Sequence, residues 1–267
     1  MKAVSRIYTA LIFIFLYAPI LIMVVFSFNE SKTRGNWTGF TTKWYTELFR
    51  DDSIMQSLWL TLLVALLSAV FATAIGTMAA IGIYSMKKRT RSLVMTVNNI
   101  PMVNPEIVTA VSLMLLFVFV YKATGILQRG FVTLLLAHIT FNIPYVVLSV
   151  LPKLRQMSPS LYEAALDLGC HPVPSFFKVV LPEISPGVVT GFLMAFTLSL
   201  DDFIISLFTG GTSQTLSVLI YAMTKKRVSP KINALSTIIF ASVFLLLIII
   251  NLRQIKGLRR KNKAIKD

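Results

Sequence analysis

Six stretches of the chain are apolar almost without interruption, over residues 7–28, 57–84, 93–121, 131–151, 187–208 and 234–252. A helix rising ~1.5 Å per residue needs about 20 residues to cross a ~30 Å hydrocarbon layer, and each stretch is near that length or longer. Backbone in lipid must satisfy its own polar groups, so the stretches are predicted as helices rather than open sheet. The third is too long for one perpendicular crossing. Its Pro101 and Pro105 predict a break or kink near 98–104.

The polar segments between them carry their own pattern. Residues 29–56 hold Trp37, Trp44 and Tyr45, amphipathic rings suited to a membrane interface, and 41–50 is predicted as a short helix lying on that surface. In 209–233 an apolar piece, Leu216 to Met223, is either surface-lying or re-entrant. Two rows of small residues recur every fourth position, Ser68, Ala72, Gly76, Ala80 and Gly187, Gly191, Ala195, Ser199. Such rows let a neighbouring helix approach closely.

Composition strengthens the membrane reading. The 267 residues are 55% hydrophobic and only 14% charged, too apolar for a soluble domain of this length. A formal charge of +15 raises nucleic acid as a partner, but the basic residues sit at the ends of apolar runs without interleaved aromatics, so nucleic acid is excluded. Of the 26 Lys and Arg residues, 16 fall in segments placed on the inner side by a six-crossing topology with both termini cytoplasmic, against 10 outside. The cluster Lys225-Lys226-Arg227 is the outer exception. The first run is too long for a secretory h-region and lacks a cleavage site, so it is read as an uncleaved helix. A lone Cys170 permits no disulfide within the chain, and with only His138 and His171 beside it, no metal and no cofactor are expected. The chain is expected to be a single transmembrane domain over 1–267 with a cytoplasmic loop at 152–186.

That loop is the most informative stretch. Ser158 is placed to cap a helix that starts at Pro159 and runs to Leu168, with Gly169 supplying a left-handed stop. Leu161, Ala164, Ala165 and Leu168 then share one face, with Glu163 and Asp167 on another. A second short helix is predicted over Ser175 to Leu181, ended by Pro182. The pair either plugs into a partner or merely connects two spans; composition alone does not separate the two.

The spacing Glu163-Ala164-Ala165, Gly169, Val179, Leu181-Pro182 resembles the EAA signature of bacterial ABC importer permeases, with Val179 where the pattern usually has isoleucine. The resemblance extends through Asn36-Trp37, Gly39 to Tyr45, His138 to Phe141, Phe196 to Asp202, and Ser229-Pro230 with Asn233 to Leu235, and is to the C-type permease subunits of spermidine/putrescine importers. It implies the type I importer permease fold, a homologous permease as heterodimer partner, two ATP-binding subunits and an extracytoplasmic polyamine-binding protein. The location it implies is the bacterial cytoplasmic membrane. Glu163, Ala164, Ala165, Gly169, Leu181 and Pro182 would couple to the ATPase. Trp44, Glu106, Ser199, Asp201 and Asp202 would line or serve the solute path, with Glu106 standing where aspartate is typical.

Physical chemistry limits those roles. Carboxylates within a span are costly unless they face a cavity or a partner, and a polycation losing water needs such groups. Adjacent residues on a helix point about 100° apart, so one of Asp201 and Asp202 is expected on the path and the other paired with a neighbour. The alternative is that all the acids are structural ion pairs, and Trp44 is equally suited to anchoring at the interface. The chain contains no GxxxxGK[ST] phosphate loop, so it is not itself an ATPase. An ion-coupled secondary transporter of a cationic solute remains the competing class. An intramembrane aspartyl protease does not fit, because its two carboxylates must converge from different helices.

Overall fold

The computed structural model describes residues 2–31, 36–226, 230–241, 244, 245 and 248, and they are helical almost throughout. The elements are α1 (Lys2–Phe26), α2 (Lys43–Phe49), α3 (Asp52–Ser85), α4 (Lys88–Val103), α5 (Glu106–Thr124), α6 (Phe131–Gln156), α7 (Pro159–Asp167), α8 (Pro172–Ser175), α9 (Leu181–Asp201), α10 (Ile204–Thr209) and α11 (Leu216–Lys226). Residues 230–241 are helical as well. Among the described residues, the only extended pairing is an isolated bridge between Asn29 and Phe40. Among the described residues, five helices are long and apolar enough to span a membrane: Arg6–Phe26, Asp52–Ser85, Glu106–Thr124, Phe131–Gln156 and the continuous Pro172–Asp201. Of the sixth expected span, 234–252, residues 242, 243, 246, 247 and 249–252 lie outside the described residues, as do Arg227 and the basic tail.

Three helix boundaries differ from expectation. Residues 93–103 belong to α4, which has no buried residue, so the third span begins only at Glu106. The break comes at Asn104 and Pro105, with ψ 145° and 131°, because a residue before proline is pushed out of helical geometry. Pro182 does not end a short loop helix. The chain instead passes from α8 through one wide π turn, Phe176–Val180, into α9, and the Leu181 amide reaches back to the Phe176 carbonyl. Widening the turn there accommodates a proline ring that would otherwise strike the carbonyl one turn earlier. The span expected over 187–208 breaks at Asp202, whose ψ of 129° separates α9 from α10.

Backbone proximity divides the chain into two compact units. One comprises residues 1–55 with 220–267. In it the end of α1 meets the segment leading to α2: the Thr41 amide donates to the Phe28 carbonyl at 2.8 Å, Tyr45 and Ser27 share a hydroxyl contact of 2.6 Å, and Phe28 stacks on Phe40. Asp51 accepts from the Ser53 hydroxyl at 2.6 Å and from Lys231 at 3.3 Å. The Ser53 bond first, then Lys231, hold its carboxyl below the ordinary range against the opposing effect of partial burial.

The second unit, 56–219, is built on α6, the most buried of the candidate spans at 56% of its apolar window. Both small-residue rows meet this helix. A Cβ on Gly76 of α3 would lie 2.7 Å from the Val146 Cβ, and one on Gly191 of α9 would lie 3.2 Å from Val146 as well. Val146 is thus gripped from two sides where only hydrogen fits. A Cβ on Gly187 would come within 2.8 Å of the Ser149 carbonyl. Ala69, Ala72, Ala80, Val150, Leu154, Ile184 and Ala195 complete this core.

Candidate functional site

At the α9–α10 junction Asp202 is 6% exposed and uses both carboxylate oxygens. Oδ1 accepts from the Ile205 amide at 3.1 Å and Oδ2 from the Ser206 amide at 2.7 Å, so its side chain caps the first turn of α10. His138 of α6 approaches the same Oδ2 at 3.4 Å through Nε2, which also lies 3.1 Å from the Ser206 hydroxyl. A buried carboxylate is tolerated here because two amides and an imidazole surround it. Asp201, one residue earlier, is exposed. Of the adjacent acids, Asp202 is therefore the one paired with a neighbouring helix.

Glu106 enters the same region from α5, which packs against α10. Half-buried, it comes within side-chain contact of Asp202 and within charge range of Asp201 and of Tyr145 on α6. Its place in the first turn of α5 puts it at the positive end of that helix, which favours an acid. Ser199 is not on an open surface. It is 2% exposed, with its hydroxyl 2.8 Å from Ser68 of α3 and accepting from the Asn142 amide at 2.8 Å. These three polar side chains tie α3, α6 and α9 together one turn below the break. Trp44 belongs to the other unit, is 4% exposed and donates Nε1–H to the Asn29 carbonyl at 2.7 Å.

The loop has the opposite character. Ser158 precedes α7 but does not cap it with its side chain, which meets the Ser160 hydroxyl at 2.6 Å instead. Gly169 stops the helix at φ +83°, a left-handed conformation that glycine adopts without penalty. Ala165 turns inward and Tyr162 packs on the core, whereas Glu163, Ala164 and Leu168 face out, Leu168 being 86% exposed. Leu161, Val173 and Phe177 are exposed too. Leu181 is half-buried and Pro182 exposed at the start of α9.

His138, Asn142, Tyr145 and Ser206 were not identified as site residues from the sequence. The partners of His138 lie 64 and 68 positions away, so spacing along the chain does not reveal them. Its signal was present nonetheless: an ionisable residue inside an apolar run calls for a partner.

Several helices long and apolar enough to span a membrane, one of them broken beside buried and exposed acids, define a multi-pass helical membrane protein. The profile of the "Binding-protein-dependent transport system inner membrane component" family matches residues 72–261, and the chain belongs to that family. It is 42% identical over 234 residues to the putrescine transport system permease protein PotI of Escherichia coli K12, covering 86% of this chain and 83% of that protein. It is equally 42% identical over 229 residues to the spermidine/putrescine transport system permease protein PotC of the same strain, covering 85% of each. A bacterial ABC transporter that imports the acidic polysaccharide alginate shares the fold, with a TM-score of 0.73 over 93% of both chains at 16% identity. Family membership favours a permease subunit over a self-sufficient ion-coupled carrier.

Proposed function

We propose that this chain is a permease subunit of an ATP-driven importer that carries polyamines, spermidine or putrescine, across the bacterial cytoplasmic membrane. The carrying observation is 42% identity to two polyamine permeases across about five-sixths of each chain. In this reading the chain pairs with a homologous permease, receives its solute from an extracytoplasmic binding protein and draws energy from two separate ATP-binding subunits. Glu106 and the exposed Asp201 offer carboxylates to the ammonium groups as their water is stripped away. Asp202, His138 and Ser199 hold the broken helix that presents them, and Trp44 pins the 29–45 segment.

Coupling falls to 152–186. Glu163, Ala164 and Gly169 form the outward surface of α7 and its stop, Ala165 seats the helix, and Leu181-Pro182 leads its motion into α9. ATP-driven closure of the ATPase pair would move α7 and rock the bundle between inward-facing and outward-facing states.

The test is ATP hydrolysis by the complete complex in proteoliposomes, with its binding protein, as spermidine or putrescine is added. Severalfold stimulation is expected. No response to either polyamine, with a response to another solute class, overturns the substrate assignment; uptake by this chain alone on a proton gradient overturns the ATP-driven one.

A further inference from the structure

Where α4 packs against the end of α6, an open crevice of about 350 Å³ is lined by Lys88, Arg91, Ser92, Thr96, Asn99, Arg155 and Met95. Three cations, two hydroxyls and an amide converge there with no carboxylate. None of Lys88, Arg91 and Arg155 makes an ion pair among the described residues. Immediately beside it is a second hollow of about 330 Å³, walled by Leu148, Leu151, Pro152, Met95, Arg155 and Gln156. Met95 and Arg155 belong to both, so a cationic, hydrogen-bonding half continues into an apolar half.

We propose that this composite crevice binds an anionic phospholipid, with the headgroup phosphate between Lys88, Arg91 and Arg155 and an acyl chain along Leu148 and Met95. Phosphate suits guanidinium forks and an ammonium, and the hydroxyls and amide can hydrogen-bond its oxygens. A free phosphate ion would use only the polar half, and the contiguous apolar half selects the lipid. Basic crevices beside the end of a membrane-spanning helix are suited to acidic headgroups, each nearby cation contributing about a fivefold preference over a zwitterionic lipid. Three excess cations on this end of the bundle already favour the inner side for orientation; their convergence on one hollow is what orientation alone does not require. The crevice also has a mechanical position. Arg155 and Gln156 close α6, and α7 begins at Pro159, so a bound lipid braces the root of the loop.

The experiment is native mass spectrometry of the complex, purified with its partner subunits in detergent, with added phosphatidylglycerol or phosphatidylcholine. We expect the wild type to retain phosphatidylglycerol at least tenfold better, and the triple variant Lys88→Gln, Arg91→Gln, Arg155→Gln to lose that preference. The charge-preserving triple Lys88→Arg, Arg91→Lys, Arg155→Lys should keep it, which separates loss of the site from loss of the fold. Equal retention of the two lipids by the wild type, or an unchanged preference in the glutamine triple, overturns the proposal. So does displacement of phosphatidylglycerol by millimolar inorganic phosphate, which makes the crevice a free-anion site. Shielding of the Arg155→Cys thiol, in a Cys170→Ser background, by the ATPase subunits irrespective of lipid makes the crevice a protein contact and equally overturns the proposal.

Discussion

The α9–α10 junction and the α7 loop both interrupt apolar sequence with polar residues, yet they resolve the interruption in opposite directions. At the junction Asp201 stays exposed, but its neighbours turn inward: Asp202 is enclosed by two amides and His138, and Ser199 by Ser68 and Asn142. In the loop Ala165 and Tyr162 seat the segment, but polar and large apolar side chains are exposed together, among them Glu163, Leu168 and Phe177. These inward groups link helices to one another, while His138 Nδ1 and Asn142 Oδ1 stay buried without a hydrogen-bond partner among the described residues. Uncovered apolar side chains of this kind are characteristic of surfaces that meet another molecule, as the proposed coupling to an ATPase requires. The same sequence cue, a polar break between spans, thus yields a brace in one place and a presented face in the other.

The contrast is sharpest in substitutions that exchange stability for function. Asp202→Ala strips the cap from α10 and leaves buried amides and an imidazole without their acceptor, a loss of about 3 kcal/mol. Thermal denaturation and membrane abundance of the complex should both fall clearly; an unaltered melting temperature would remove the brace. In the loop, Glu163→Ala or Leu168→Glu should leave stability within about 0.5 kcal/mol, as exposed changes usually do, while polyamine-stimulated ATP hydrolysis drops at least tenfold. Full stimulation in both variants would make α7 a passive connector.

Asp201→Asn divides the acid pair. Being exposed, it should melt like the wild type while uptake falls severalfold, the reverse of the pattern at Asp202. Parallel behaviour of the two variants in both assays would erase the distinction between path and brace. The smallest effect belongs to Asp51, outside the apolar helices. Its folded carboxyl is held below the unfolded value, so its contribution is present above the unfolded value and disappears as pH falls through the lower, folded one. Solvent screening keeps Asp51→Asn near or below ~0.5 kcal/mol at neutral pH. A larger loss, or one confined to alkaline pH, would contradict the ion-pair geometry with Lys231.

Much of the architecture follows from local rules. The apolar runs are long enough to be spans wherever they lie, Pro105 forces its predecessor into extended backbone, and Gly169 supplies a conformation that few other residues reach cheaply. Both small-residue rows could be read as contact surfaces because a missing side chain is a property of sequence; that both close on Val146 is not. Pro182 shows where local rules mislead. Proline usually stops a helix, but one π turn lets this one continue across the edge of the loop.

By itself, then, the sequence determined that this is a multi-pass helical protein, where its chain must break and which loop carries the family's spacing. Those features depend on residues within a turn or two of one another. Only the tertiary structure decided which aspartate is enclosed, that Ser199 is a buried link and that His138 has a purpose. Each of those outcomes depends on side chains dozens of positions apart being brought within hydrogen-bonding distance, and burial is a property of the assembled bundle, not of the residue.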